Sequence, residues 1–160
     1  MKTHIISANK LYRKEYDPQK MNIKKAAQIT RDHIKELTIK NISKFYKEEF
    51  NREIIINSMK ALEAFSLLSD TNTDEMCDEI TESSMIIYSD NDSASMISVV
   101  HMLAHSLLHT NIIYSQTNFK SAFRDTYKEW FNHPQLDYEV DIFMKYFLTK
   151  EEFENLLLKA

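Results

Sequence analysis

The chain contains no glycine. A P-loop, a GxGxxG turn and a GxSxG elbow each need glycine for close backbone approach or a positive φ. The commonest nucleotide-binding and serine-hydrolase chemistries are therefore excluded together. Tight turns must use Asn, Asp and Ser instead, which cluster at Ser69-Asp70-Thr71-Asn72 and Ser89-Asp90-Asn91-Asp92. The single cysteine, Cys77, permits no intrachain disulfide, which fits a reducing compartment and a cytoplasmic location. No apolar run reaches the length of a membrane span, and the first residues, Met1-Lys2-Thr3-His4-Ile5-Ile6, form no signal-peptide core. No excess of positive charge is present either. The net charge of −4 argues against direct nucleic-acid binding and against docking on anionic membranes.

What is present is the composition of a folded domain, 43% hydrophobic and 28% charged over 160 residues, enough for one core. Asp17-Pro18 is a helix start, and an apolar stripe through Ile23, Ala27, Ile34, Leu37 and Phe45 predicts helix to about residue 50, with a break at 41–43. The lysines between these positions form a solvated or partner-binding face. Ile54-Ile55-Ile56 marks a strand over 53–57, and Lys60 to Leu68 a helix. The acidic stretch 74–82 lacks the spacing and glycine of an EF-hand. A second strand is expected at Met85 to Tyr88. A helix over 95–109 follows, capped by Ser93 or Ser95. Further helices are expected over 118–130, 135–148 and 150–159, with a break at Asn132-His133-Pro134. The aromatics Tyr114, Phe119, Phe123, Tyr127 and Trp130 have mostly helical spacing and read as core or interface. The fold class is α+β, with a small β-sheet beside the helix that begins near Ser95. No linker or composition shift divides the 160 residues, which read as a single domain.

The chemically informative string is Val99-Val100-His101-Met102-Leu103-Ala104-His105-Ser106-Leu107-Leu108-His109. Histidines four residues apart on a helix lie one turn apart on one face and can converge on one metal ion. A histidine on an apolar helix is more commonly a satisfied core residue, and His109 taken alone fits that bland reading. Cys77 has no local partner that would make it a nucleophile.

The run His101 to His109 resembles the HELGHxLLH helix of ImmA/IrrE-type metallopeptidases. Glu139-Val140-Asp141-Ile142-Phe143, continuing to Tyr146-Phe147-Leu148 and Glu151-Glu152-Phe153, is similar to that family's E-A-N-x-F segment and the acidic, aromatic stretch behind it. The resemblance spans about residues 53–157 and leaves the helical region 1–50 unmatched. It implies a helix-rich, zincin-like domain. It also implies that His101, His105 and Glu139 are zinc ligands, that Phe143 packs beneath the second helix and that His109 is structural. Family members are often encoded by phages and other mobile elements and act on DNA-binding repressors, which implies a regulatory protein as partner.

The departures bear on activity. In an HExxH enzyme the glutamate after the first histidine takes the proton of the attacking water and passes it to the leaving amine. Here that position is Met102, which titrates no proton, so no residue is assigned as catalytic. Ala104 stands where the family has glycine, Asp141 where it often has asparagine and Lys150 where it often has proline. Asp137, Asp141 and the acids at 74–82 are the candidates for a substitute carboxylate. Three functions remain open: a pseudoprotease that works by binding a repressor or host factor, a zinc peptidase with an unconventional base, and a helical interaction protein with no metal.

Overall fold

A computed structural model describes residues 23–61, 63–64, 78–81, 83–109, 123–124 and 134–160. In chain order these form α1 (Ile23–Ile34), α2 (Ile39–Phe50), β1 (Glu53–Asn57), β2 (Glu79–Ile80), β3 (Ser84–Tyr88), α3 (Asp92–Leu108), β4 (Phe123–Arg124), α4 (Pro134–Phe147) and α5 (Lys150–Lys159). The protein is α+β, helix-rich with one small sheet.

The four strands lie in the order β1-β3-β2-β4. β1 runs parallel to β3, with Ile54 opposite Met85 and Ile56 opposite Ile87. β2 is antiparallel to both β3 and β4. α3 packs on β3 and on both α4 and α5, and α1 lies against α4. The core joins Ile42, Phe45 and Tyr46 of α2, Met85 and Ile87 of β3, Val99, Val100, Leu103 and Leu107 of α3, and Val140, Phe143 and Phe147 of α4. Each such side chain contributes about 1.5–3 kcal/mol by leaving water.

Local chemistry sets the helix ends. The expected break at 41–43 lies earlier: α1 ends at Ile34, and Lys35 takes a left-handed φ of 69°. Thr38 then caps α2, its hydroxyl accepting from the Asn41 amide at 3.0 Å. α2 ends on Asn51 at φ 57°, with its amide donating to the Lys47 carbonyl. Asn51 does what glycine does at most such ends, because its short polar side chain tolerates that region.

α3 starts before the expected serines. Asn91 is its cap, and Oδ1 accepts from the amides of Ser93 (2.8 Å) and Ala94 (3.0 Å). The side chain nearest the free amides satisfies them first. α4 opens on Pro134, whose missing amide costs nothing at a first helical position. α5 opens on a capping box between Thr149 and Glu152.

One expected helix is corrected. Phe123 and Arg124, placed in a helix over 118–130, pair with β2 as strand; backbone pairing outweighs a helical pattern that rested only on aromatic spacing. The remainder of that segment, Asp17-Pro18, Cys77 and residues 65–68 of the helix expected over 60–68 lie outside the described residues.

Candidate metal centre

α3 is apolar or small on nearly every face, and eleven of its residues are buried, from Ser95 to Leu108. A helix enclosed in this way leaves few places where a polar side chain reaches solvent. His101 is such a place, being only partly buried, while His105 and His109 are fully enclosed. The three rings line one side of the helix, edge-on for His101 and His105 with centroids 4.8 Å apart and tilted for His105 and His109 at 5.1 Å.

α4 supplies the acids. Its residues Leu136, Glu139, Val140, Phe143, Met144 and Phe147 are buried, and it crosses beside the histidine row. His105 Nε2 lies 3.8 Å from Asp137 Oδ1. His109 Nε2 lies 2.9 Å from Glu139 Oε1. The two acids thus address successive turns of α3, about 5.4 Å apart along its axis.

The donor atoms of His101, His105 and Asp137 all fall within 4.8 Å of one another. Two imidazoles and one carboxylate are a donor set that suits zinc and related divalent ions, so this cluster can hold a metal ion. Asp137 is half exposed, His101 partly so and His105 buried.

Of the residues expected as ligands, His101 and His105 have donor atoms within 4.8 Å of each other and of Asp137, and Glu139 is buried and hydrogen-bonded to His109. A spacing of 34 residues does not specify which turn of α3 an acid on another helix reaches. His109 is placed near the site as expected, and Phe143 is buried in α4.

Met102 is fully buried in the core and turned away from solvent. Its carbonyl accepts from the Ser106 hydroxyl at 2.9 Å. Because Ser106 spends its hydrogen there, the Tyr46 hydroxyl donates to Ser106 Oγ, at 2.9 Å. This chain of bonds fastens α2 to α3.

Beside the cluster, a groove of about 770 Å³ runs between α3, α4 and α5. Ile97, His101, Asp141, Met144, Phe153 and Leu157 are among its walls. Phe153 and Leu157 are exposed. Asp141, outside the metal cluster, thus opens onto the same groove as His101.

No described helix is long and apolar enough to cross a membrane. Comparison of the chain with family models, with curated proteins and with solved structures yields no match in any of the three.

Proposed function

We propose that the chain is a degenerate, zincin-like metallopeptidase of ImmA/IrrE type that holds zinc through His101, His105 and Asp137 and acts by binding a regulatory protein. The observation that carries this reading is the convergence of those three donors within 4.8 Å, two of them from α3, where the residue after the first histidine is the buried Met102. The sequence resemblance supplies the family, and the donor set supports a metal. Zinc, when bound, polarises a carbonyl as a Lewis acid.

The protein's own side chains account for the rest. His101 and His105 present ring nitrogens, and Asp137 offsets part of the ion's charge. Met102 neither accepts nor returns a proton, so loss of the base lowers hydrolysis by about 10²–10⁴-fold. The groove beside His101 provides an apolar wall for a partner's side chains while the scissile step is disabled. The resemblance implies that the protein is encoded by a phage or other mobile element and acts on a repressor or host factor, and the single cysteine fits a cytoplasmic setting.

A second reading is favoured by one observation: Asp141 shares the groove with His101. A carboxylate there can take a proton from a group bound in the groove, which would make the protein an active zinc peptidase that cleaves a DNA-binding repressor.

The test is elemental analysis of untagged protein beside a His101→Ala/His105→Ala variant, followed by incubation with the repressor of its host element. About one zinc per chain, lost in the variant, with the repressor bound and intact, is the expected result. Repressor cleavage stopped by a chelator would move the conclusion to the second reading. No zinc in the folded protein would overturn the metal assignment and leave a helical interaction protein.

A further inference from the structure

β1 lies at one edge of the sheet, with β3 as its neighbour among the described strands. The Glu53 amide donates to the Ser83 carbonyl at 2.9 Å, and the Asn57 carbonyl accepts from the Ser89 amide at 2.8 Å. In the parallel ladder with β3, Glu53, Ile55 and Asn57 therefore turn their backbone groups inward. Alternation along the strand turns the amides and carbonyls of Ile54 and Ile56 to the outer edge, where no described strand meets them. The side chains of this edge are open too. Ile55 is 40% exposed on one face of the sheet and Ile56 38% on the other. Edge strands are ordinarily blunted by proline, lysine or a bulge, and Glu53–Asn57 has none of the three.

The same five residues indicate what pairs with them. Glu53-Ile54-Ile55-Ile56-Asn57 reads almost alike in both directions, polar at each end and isoleucine between. Two copies laid antiparallel about Ile55 bring Ile54 of each opposite Ile56 of the other. Each such pair exchanges two backbone hydrogen bonds, so every outward amide and carbonyl of Ile54 and Ile56 is used. Ile55 meets its counterpart at the axis, with Cα atoms about 4.5 Å apart. Glu53 falls opposite the neutral Asn57, so no like charges face each other, and its carboxylate keeps Lys47 of its own chain at 2.9 Å. A slip of one residue would set outward groups against inward ones and lose these bonds.

We propose that β1 is a self-association edge: a second copy of this chain adds its own β1 antiparallel, about a twofold axis through Ile55, and joins the two sheets into one. Such a contact uses the same surface on both copies and closes at the dimer. Strands of five residues bury less than the about 800 Å² per partner of a tight complex, so the dimer depends on concentration. The metal centre takes no part in it, and failure of this proposal would leave the metal reading where it stands.

The test is sedimentation of the full chain across a wide range of concentration, with probes placed in β1. A monomer that passes to a dimer as concentration rises is the expected result. Ile56→Pro removes an outward amide, leaves the bonds to β3 in place and should abolish the dimer. In a Cys77→Ser background, Ile55→Cys should form an interchain disulfide on mild oxidation, because the two side chains meet at the axis. Glu53→Cys, which lies opposite Asn57, should not. A monomer at every concentration, growth past the dimer, or a dimer that Ile56→Pro leaves intact overturns the proposal. So does a disulfide that forms as readily from Glu53→Cys as from Ile55→Cys. Should the proline variant fail to fold, Ile55→Lys takes its place. It sets two like charges at the axis, on an exposed position, and a dimer that survives it overturns the proposal equally.

Discussion

Arg31 and Glu152 form a two-bonded ion pair across the molecule, with Nη1 donating to Oε1 and Nη2 to Oε2, both at 2.7 Å. The pair joins α1 to α5. Arg31 Nη1 also donates to the Phe147 carbonyl at 2.9 Å, and its Nε to the Lys35 carbonyl at 2.8 Å. One guanidinium therefore holds the ends of α1 and α4 and the start of α5. The hydrogen bonds from Arg31 hold the Glu152 carboxyl below the ordinary carboxylate range, against the opposing effect of partial burial. A carboxyl lowered in the folded state stabilises the protein above its unfolded pKa. That contribution disappears as pH falls through the folded value. Glu152→Gln keeps an oxygen for the capping box and removes the charge. It should cost about 1 kcal/mol at pH 7 and progressively less as pH falls through the lowered folded value, read by urea unfolding along a descending pH series.

Asp137→Asn should weaken zinc binding by more than about 100-fold, since loss of a ligand exceeds the 10–100-fold typical of an outer partner. Glu139→Gln should stay within that smaller range. Competition against a chromophoric chelator measures both. A larger loss for Glu139→Gln would restore Glu139 as the ligand.

Met102→Glu, which rebuilds the HExxH string, should fail as a repair. Met102 is wholly enclosed, so the new carboxylate would lie in the core without a partner. A loss of at least about 3 kcal/mol is expected, with no gain in peptide hydrolysis. Met102→Leu conserves volume and should cost under about 1.5 kcal/mol. Thermal unfolding separates the two, and a stable, active glutamate variant would refute the placement of position 102.

Tyr46→Phe removes the hydroxyl that donates to Ser106 and leaves the Ser106–Met102 bond in place. It should cost about 1 kcal/mol, measured by chemical denaturation. Zinc affinity should not change, because Ser106 is not among the metal donors.

Several elements were legible because a single local signal governs them. The triple isoleucine of β1, the strand at Met85 and the helix over 150–159 each act through nearby residues. His101 and His105 converge because helix geometry alone brings positions four apart together. The break between α1 and α2 was misplaced because Lys35, a good helix former, adopts the left-handed region there. Phe123 and Arg124 were misread because strand pairing with β2 is a long-range event. That Asp137, and not the expected Glu139, lies beside His105 depends on the height at which α4 crosses α3, which no spacing within either helix encodes.

Among the described residues, Lys35 and Asn51 take the left-handed region that glycine usually fills, and they bear on the denatured ensemble as well as on the native chain. At Lys35 a Cβ in that region costs about 1–2 kcal/mol of native strain. Lys35→Gly would relieve most of it, but the new glycine would also widen the range of backbone states open before folding, an opposing effect of about 0.4–1 kcal/mol. The net gain is small, so a chain with no glycine holds its sharpest helix ends with little thermodynamic pressure to acquire one.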